Sequence, residues 1–554
     1  MVRRTGIALP VVVVALAVGV WTPDVAAQTP APSSSAAPSP AASGLASPEP
    51  SGVPSPSGSI TPAPSPSPTP PPIIVEPAAV AIAPGTSQVL RVMQVLGTVA
   101  VTVADPSIAE ASVDQVTRFV TVTAHAVGRT TLTVSDDRGL TRDVAVRVAY
   151  PAGSVADVAS IHITGHPASS LFVKEQAVVA AKRHAIPRPG ATIVATVDSV
   201  NLGAALHIDD IVNVAVPVIL QGTDYLTVTG TTHVRIDNFA EPYVRPGLLL
   251  VSDYPETLRE NGVLFTADLT TEQAERFLYY HYNPPGQPDR RIVFKAENTS
   301  AAPALVQIIS GRGGPGPYEM EVGHLSTQRF LVRMQQDEGT VITLPGNSVT
   351  TIAEQLLPAG QIVSNLLQLH EINGNPIHLT LFAQGAGDPI EGPVPQTALL
   401  SGDHPHARGI YGTPDFSFDK MYDTGGENLK VPIGQFPLPN HVQGQVLSGD
   451  YGVLARITIE IVNHSGHASN VALYANPRGG SATGTFLIDG VLVQAHALPA
   501  FSRFKLRQYS IPAHGFVQTE IVTMPEGGSA YPLILEVGPD DGSAPPSAPD
   551  SLVY

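Results

Sequence analysis

The stretch LPGNSVTTIAEQLLPAGQIVSNLLQLHEINGNPIHLTLFA, residues 344–383, aligns without a gap with LPAFSRFKLRQYSIPAHGFVQTEIVTMPEGGSAYPLILEV, residues 498–537. Both copies begin with Leu-Pro, carry Pro-Ala at 358–359 and 512–513, and place a glycine at 374 and 528. Most of the shared residues are turn formers or apolar core types. The alignment therefore predicts a repeated β-domain whose shared positions serve a scaffold and not a catalytic site.

Shorter matches extend the repeat upstream. Residues 298–300 align with 463–465, and the Arg-Gly-Gly sequence at 312–314 aligns with the one at 478–480. Residues 253–255 and 262–264 align with 403–405 and 409–411. The runs 291–297 and 456–462 alternate with period two, which is typical of half-buried strands, and we interpret the Arg-Gly-Gly elements as turns. We expect two β-sandwiches, at residues 251–390 and 400–540.

Length and composition favour a chain of several β-domains. The 554 residues exceed what one core supports, and 49 glycines and 54 prolines suit short strands joined by many turns. The net charge of −17 argues against a nucleic-acid partner. The chain has no cysteine, which excludes disulfides, thiolate metal sites and cysteine nucleophiles.

The N-terminus predicts export. Residues 1–27 combine Arg3 and Arg4, an apolar run from Ile7 to Val20 and small residues before a cleavage site at Ala27, typical of a secretory signal peptide; an uncleaved anchor is the alternative. Residues 28–72 are rich in Pro, Ser and Ala and predict a disordered spacer, with a tail of no function as the alternative. Residues 543–554 predict a disordered C-terminal tail. We expect a location in the periplasm, at the cell surface or outside the cell.

Residues 73–150 carry six short alternating runs separated by Pro-Gly, Asp-Pro and Asp-Arg-Gly turn signals, which predicts a small β-sandwich. The sequence VADPSIAEA at 103–111, VTVT at 120–123 and GRTTLTV at 128–134 resembles the N-terminal region of pilus-assembly secretins of the Tad/Flp type. It is also similar to bacterial group 2 immunoglobulin-like domains. The resemblance implies an Ig-like module in a cell-envelope setting, beside a pilus or secretion system.

Residues 155–250 predict a small α+β module. Residues 160–163 form a strand pattern, Ser169 or Ser170 provides a helix N-cap, and Phe172, Val173 and Ala177 have helical spacing. Prolines at 187 and 189 end the helix, and strand patterns follow at 191–197, 214–220, 225–229 and 233–236. Such a βαβ unit is similar to the ring-forming modules of secretins. The later strands are also compatible with membership in the first repeat.

Two histidine pairs are candidate metal ligands. His404 and His406, beside Asp403, lie two apart, and on a strand they would share a face suited to zinc or copper. His464 and His467 flank a Ser-Gly turn. The first copy has Tyr-Pro-Glu and Thr/Ala at the aligned positions, so polar loops are the favoured interpretation of both pairs.

Two further groups of residues are candidate binding sites. Asp450 and Asp489 are carboxylate candidates for calcium, but their spacing matches no calcium loop, and turn chemistry is favoured. The run Tyr279-Tyr-His-Tyr282 is the densest aromatic patch. We interpret it as a core strand with Tyr280 and Tyr282 buried and the other two side chains exposed, and a surface platform for glycans is the alternative.

No nucleophile elbow, phosphate loop, dinucleotide fingerprint or zinc-protease helix is present in the sequence. We therefore predict no catalytic, cofactor or metal-binding residues. The leading hypothesis is an exported, non-enzymatic bacterial envelope or surface protein with envelope or pilus partners. An adhesin or ligand-binding protein is the alternative, and a metal-dependent hydrolase using His404 and His406 is a remote third.

Overall fold

The computed structural model describes residues 70–269, 273–402, 406–439 and 446–545. The predicted signal peptide, nearly all of the spacer and most of the tail lie outside these ranges. The described residues form 35 strands and two α-helices, which confirms the predicted mainly β, multi-domain class. Neither helix is long and apolar enough to cross a membrane.

The first module is a sandwich of two four-stranded sheets with the orders β1-β3-β6-β5 and β2-β8-β7-β4. Alternate residues of each strand, such as Leu90, Val120 and Leu132, point between the sheets and are fully buried. The eight strands are β1 (Ile74–Glu76), β2 (Ala79–Ile82), β3 (Ser87–Met93), β4 (Ala100–Val103), β5 (Ala109–Val113), β6 (Phe119–Ala124), β7 (Gly128–Ser135) and β8 (Thr141–Val148).

In the second module one helix packs against strands of a single sheet, and it follows one strand and precedes others. Ser169 caps the helix: its Oγ accepts a hydrogen bond from the Phe172 N–H at 3.3 Å. β10 and β14 run parallel. The elements are β9 (Gly153–Ser154), β10 (Val158–Thr164), α1 (Ser170–His184), β11 (Ile186–Pro187), β12 (Thr192–Val194), a 3-10 turn (Val197–Ser199), β13 (Ile211–Gln221) and β14 (Val228–Phe239).

The first large sandwich begins at residue 246 and contains one helix. Its smaller sheet has the order β16-β23-β18-β21. Its elements are β15 (Pro246–Ser252), β16 (Gly262–Leu269), β17 (Ala274–Asn283), β18 (Arg290–Asn298), β19 (Ala304–Gly316), α2 (Glu319–Gln335), β20 (Gly339–Leu344), β21 (Ser348–Leu357), β22 (Gln361–Glu371), β23 (Ile377–Gly385) and β24 (Arg408–Gly412).

A single ten-stranded sheet joins the second module to this sandwich. Its order is β12-β13-β14-β10-β20-β19-β22-β17-β15-β24. β10 pairs with β20 through His162 and Val341, and β24 pairs with β15. The sheet is therefore continuous across residue 250, and residues 408–412 lie on the first sandwich although the sequence assigned them to the second. The division into domains at residues 250 and 400 stays a prediction.

The second large sandwich has two sheets, β25-β29-β34-β31-β32 and β26-β35-β30-β33. Its strands are β25 (Asp415–Asp423), β26 (Leu429–Ile433), β27 (Leu438–Pro439), β28 (Val446–Leu447), β29 (Leu454–Val462), β30 (Ser469–Pro477), β31 (Ala482–Ile488), β32 (Val491–Leu498), β33 (Phe504–Ile511), β34 (Phe516–Thr523) and β35 (Leu533–Pro539).

The two sandwiches have the same strand order. In the first, β15-β17-β22-β19-β20 takes the place of β25-β29-β34-β31-β32, and β16-β23-β18-β21 takes that of β26-β35-β30-β33. The ungapped alignment of 344–383 with 498–537 agrees with this, because it pairs β21, β22 and β23 with β33, β34 and β35.

The upstream alignment is displaced by one strand. Strand order places β29 with β17, whereas the sequence match placed it with β18. The buried amide of Asn463 donates to the Ile511 carbonyl, and Asn283 donates to Leu357, the residue aligned with Ile511. By strand order Asn283 is the counterpart of Asn463. Asn298 nevertheless forms the same local turn as Asn463, since each donates to the carbonyl four residues later and accepts from the serine N–H two residues later. Short alternating strands resemble one another, so local similarity could not distinguish neighbours.

The helix α2 departs from the expected all-strand sandwich. It connects β19 to β20, where the second sandwich uses the two-residue turn Asp489-Gly490. Its apolar residues share a core cluster with both sandwiches, including Phe330, Leu366 and Leu487. A layer between two sheets is buried on both faces, so α2 lacks the wide polar stripe of a surface helix.

The Arg-Gly-Gly elements have different roles in the two sandwiches. At 478–480 the element forms the predicted bend after β30. At 312–314 the expected turn is wrong, because these residues belong to β19 beneath α2. A Cβ atom on Gly313 would lie 1.8 Å from the Val322 carbonyl oxygen, so glycine is required by the close approach of the helix.

Candidate functional site

His406 lies at the edge where β15 and β24 pair, and carboxylates flank both of its ring nitrogens. Nδ1 is 3.3 Å from Asp253 Oδ2, and Nε2 is 3.1 Å from Glu256 Oε2. The Asp253 backbone N–H donates to Ala407, which fixes the two segments together. His404 and Asp403 lie outside the described residues. A metal at this place would have to displace a carboxylate from the imidazole of His406.

Asp253 and His406 perturb each other's pKa. Burial raises the pKa of Asp253 to about 7, although its hydrogen bond to His406 opposes that shift. The hydrogen bond to Asp253 raises the pKa of His406. The two groups therefore titrate together, and each proton belongs to the pair. A cavity of about 200 Å³, lined by Glu256, Arg259 and Ser401 among others, opens beside them.

The second histidine pair forms a turn in the described structure. His464 is largely exposed, with Nε2 3.2 Å from Asp423. The backbone carbonyl of His467 accepts hydrogen bonds from Asn463 and Ser465. Among the described residues, no group of three or more His, Asp or Glu side chains has an arrangement suited to a metal ion.

Asp450 and Asp489 have separate environments. Asp489 occupies the β31–β32 turn with φ +50°, and its Oδ1 accepts from the Glu520 N–H and the Thr519 hydroxyl. Asp450 lies in an apolar cleft before β29, where burial raises its pKa to about 6. Turn chemistry accounts for Asp489. Asp450 is the unusual one, because its Oδ1 is buried without a hydrogen-bond partner in the described structure.

The aromatic run on β17 is a core strand with Tyr280 buried and Tyr282 half-buried, but the expected exposure of Tyr279 and His281 is wrong. Tyr279 and His281 are fully buried, and Tyr280 is 5% exposed. Tyr279 faces the sandwich core, where its hydroxyl donates to Gln355, while Tyr280 packs against Val322 of α2. β17 is covered on both faces, so alternation does not predict exposure here. The run offers no surface platform.

Sequence reasoning missed a buried ion pair between the sandwiches. Arg276 on β17 has a fully buried side chain with Nη1 2.7 Å from Asp415 Oδ1 on β25. Nη1 also donates to the carbonyls of Pro414 and Gly452, and Nη2 donates to the Tyr243 hydroxyl. A charge this deeply buried is stable only when paired and hydrogen-bonded, so these contacts fix one sandwich against the other.

A second buried pair joins α2 to the second sandwich. His324 Nδ1 lies 2.9 Å from Glu526 Oε2, and its Nε2 lies 2.9 Å from Gln494 Oε1. The Glu526 carboxylate also accepts from the hydroxyls of Thr483 and Thr485. Burial alone would lower the pKa of His324, but the Glu526 charge and the hydrogen bonds outweigh it and raise that pKa.

The same pair holds Glu526 ionised. Burial opposes ionisation, but the His324 charge and three hydrogen bonds together lower the pKa of Glu526. No local motif marks either residue, because the partners are about 200 residues apart and meet only through packing.

Comparison with known proteins identifies one module. Residues 76–149 match the family model described as the pilus formation protein N terminal region. This confirms the resemblance seen in the sequence of the first module. No curated protein matches the chain.

Solved structures match parts of the chain at low identity. The human desmocollin-1 ectodomain is 12% identical with a TM-score of 0.13, over 36% of this chain and 48% of that one. The Drosophila receptor protein tyrosine phosphatase DLAR Ig1-2 module gives 10% and 0.13, over 30% and 99%. A carbohydrate-binding module of the β-sandwich superfamily gives 11% and 0.14, over 57% and 97%. The chain thus spans about half of the desmocollin ectodomain.

Proposed function

We propose that the chain is an exported, non-enzymatic protein of the bacterial cell envelope, in the periplasm or at the surface, that works beside a pilus-assembly or secretion system. The match of residues 76–149 to the pilus formation family carries this proposal. Its partners are envelope or pilus proteins. The net charge of −17 favours these over nucleic acid.

A non-catalytic role is supported by what the ionisable side chains contact. His406 lies between two carboxylates at a strand edge, and Arg276 and His324 join the two sandwiches. Each is engaged in holding segments together. A chain of sandwiches tied by buried charges suits a rigid bridge or display element. That no cofactor or metal is required stays an expectation.

Crosslinking in the source bacterium tests the proposal. A photo-crosslinking side chain is placed at Val116 or Val127, which are 91% and 53% exposed on the first module. The matched control places it at Val491, 54% exposed on the second sandwich. We expect both first-module positions to capture pilus or secretion proteins in the envelope fraction. Recovery of the mature chain in the cytoplasm would end the proposal.

Ligand binding at the cell surface is the second candidate, favoured by the apolar cleft that holds Asp450. The cleft has a volume of about 280 Å³. The rings of Phe416 and Phe418 stack within it at 6.2 Å and 15°, and Phe436 is 70% exposed. Stacked rings beside a carboxylate with one oxygen, Asp450 Oδ1, free of hydrogen bonds suit a sugar ring, which offers an apolar face and hydroxyl donors.

A glycan screen tests the second candidate. Wild-type protein is compared with a Phe416→Ala/Phe418→Ala double variant, and Phe516→Ala serves as the control because Phe516 is also exposed. We expect binding to be retained in the control and lost in the double variant. If no glycan binds wild type, or the double variant binds equally, the cleft has no such role.

A further inference from the structure

A cleft with four arginines lies between α1, α2 and the part of β19 that extends beyond its pairing with β20. Arg183 comes from α1, Arg312 from β19, and Arg329 and Arg333 from α2, and all four line one cavity of about 380 Å³. We call these four residues and the cavity the arginine cleft. Glu175 is the one acidic residue among its lining residues. The cleft is thus a cationic site on a chain whose net charge is −17.

The two arginines of α2 donate hydrogen bonds to backbone carbonyls of β19. β20 pairs with β19 only from Ala304 to Ile308, so the later carbonyls of β19 have no strand partner on that edge. Arg329 donates to the Arg312 carbonyl at 2.6 Å, and Arg333 donates to the Ser310 carbonyl. Arg333 also bonds Glu175 at 2.6 Å. These contacts hold both guanidinium groups rigidly at the wall of the cleft.

Arg183 and Arg312 differ from Arg329 and Arg333, whose guanidinium groups bond to β19 carbonyls. Both are exposed, and neither forms an ion pair with a carboxylate in the described parts of the chain. Although the Arg183 side chain keeps an exposed surface, crowding by neighbouring protein atoms lowers its pKa. The Arg312 charge lowers that pKa further, and the charges of Glu391 and Glu354 oppose the shift. Two guanidinium groups that repel each other across a cleft are stabilised when an anion lies between them.

The remaining wall of the cleft is apolar. Val179 of α1 is 42% exposed, and Ile161 of β10 and Ile342 of β20 are half-buried, on the wall of the same cavity. A purely inorganic anion would leave this surface in contact with water. A ligand that covers this surface is stabilised by the removal of its apolar area from water. The site therefore combines oxyanion recognition with an apolar pocket.

We propose that the arginine cleft binds an anion in which a carboxylate or phosphate head is joined to an apolar chain. Arg183 and Arg312 hold the head, because the guanidinium fork matches the oxygens of either group. The apolar chain lies against Val179, Ile161 and Ile342. This site is independent of the pilus-related module and of the proposed envelope role.

The test uses full-length mature protein and two double variants of equal charge. Arg183→Gln/Arg312→Gln removes the two uncommitted cations, and Arg91→Gln/Arg142→Gln removes two exposed arginines of the first module. Isothermal titration with octyl phosphate and with inorganic phosphate gives the affinities at low salt. Melting temperatures verify that both variants are folded.

We expect wild type and the control variant to bind octyl phosphate equally, and inorganic phosphate at least tenfold more weakly. The Arg183→Gln/Arg312→Gln variant should bind octyl phosphate at least tenfold more weakly than wild type. Equal binding by both double variants would overturn the proposal. A wild-type protein that does not bind octyl phosphate would also overturn the proposal. The same holds if wild type binds an oligoglutamate peptide and not octyl phosphate.

Vesicles distinguish the two sources of such an anion. Co-sedimentation with phosphatidylglycerol vesicles but not phosphatidylcholine vesicles, lost in Arg183→Gln/Arg312→Gln, would identify a lipid as the source. Binding of octyl phosphate without vesicle binding would identify a soluble amphiphile. Both results support the shared chemistry of the site.

Discussion

The two sandwiches differ most at one connection within a shared strand order. β31 and β32 are joined by the turn Asp489-Gly490, whereas β19 and β20 are joined by residues 317–338, which include α2. A connection on a sheet edge tolerates a long insertion at small entropic cost. Here the inserted helix became the layer between the sandwiches. The same strand order is therefore compatible with either a short hairpin or a helix that packs between the sandwiches, depending on this one connection.

A second difference concerns sheet edges. β15 is covered by β24, whereas its counterpart β25 is the last strand of its sheet in the described structure. β25 carries Phe418 and Met421, 36% and 62% exposed. An uncovered edge with apolar side chains invites pairing with another chain unless something protects it, and Lys420 on the same strand is a residue that opposes such pairing.

The largest expected effect separates two equivalent arginines. Arg276 pairs with Gln368, and Arg456 pairs with Val522, the residue aligned with Gln368, so the two arginines occupy one position of the frame. Arg276→Met should lower the free energy of unfolding by about 3 to 5 kcal/mol, because Asp415 would remain buried and charged.

Arg456→Met is the matched control. Its ion pair with Glu520 is more than 40% exposed on both sides, so its loss should cost less than about 1 kcal/mol. Denaturant unfolding measures both costs. Equal losses of unfolding free energy in the two variants would contradict the inference that the contact between the sandwiches makes Arg276 more stabilising than Arg456.

A smaller effect is expected from the contact between α2 and the second sandwich. A Cβ atom on Gly323 would lie 1.7 Å from the Gly527 carbonyl oxygen, so Gly323→Ala must push the helix away. We expect a loss of about 3 kcal/mol. Gly387→Ala meets nothing within 4 Å and should leave the melting temperature unchanged. A stable Gly323→Ala protein would show that α2 is not tightly packed.

The shared frame predicts equal costs at Asn283 and Asn463. Both side chains are fully buried. Asn283 donates to the Leu357 carbonyl at the end of β21, and Asn463 donates to the Ile511 carbonyl at the end of β33. Replacement of either by Ala leaves buried carbonyls unpaired and should cost about 2 kcal/mol. The exposed Asn201 is the control. A cost at Asn283 alone would refute the equivalence that strand order indicates.

The smallest effect is a pH dependence confined to the interface. His324 has a pKa raised above 6.5, so its stabilising contribution is full below pH 6.5 and is lost as pH rises through the raised pKa. Glu526 has a pKa lowered below 4.5, so its contribution is present above pH 4.5 and is lost as pH falls through the lowered pKa. The pair contributes most between these limits.

His324→Gln should remove the loss of stability on the alkaline side. That loss is on the order of 1 kcal/mol, since a tenfold change in proton affinity corresponds to about 1.4 kcal/mol. His464→Gln, at an exposed histidine, is the control. Thermal unfolding from pH 5 to 9 measures both. The groups facing His324 are Glu526, Gln494, His496 and Glu321. If the pH dependence of stability is unchanged in His324→Gln, it belongs to Glu526, His496 or Glu321.

Local patterns predicted much of the fold and little of what joins it. Alternation and turn residues located most strands of the first module, and Ser169 marked the start of α1. They failed for α2, whose partners on both faces lie on other strands, and for Tyr279, which is buried although alternation suggested exposure. Burial depends on what covers each face, and periodicity along one strand does not contain that information.

The amino-acid sequence by itself determined the β class, the pilus-related first module and the ungapped match between residues 344–383 and 498–537, because these follow from turn chemistry and apolar spacing within short segments. Only the tertiary structure decided which strands correspond, that α2 separates the sandwiches, and that Arg276, His324 and the arginine cleft exist as sites. Their members are far apart in sequence, and the free energy that brings them together comes from burying whole layers and not from any local motif.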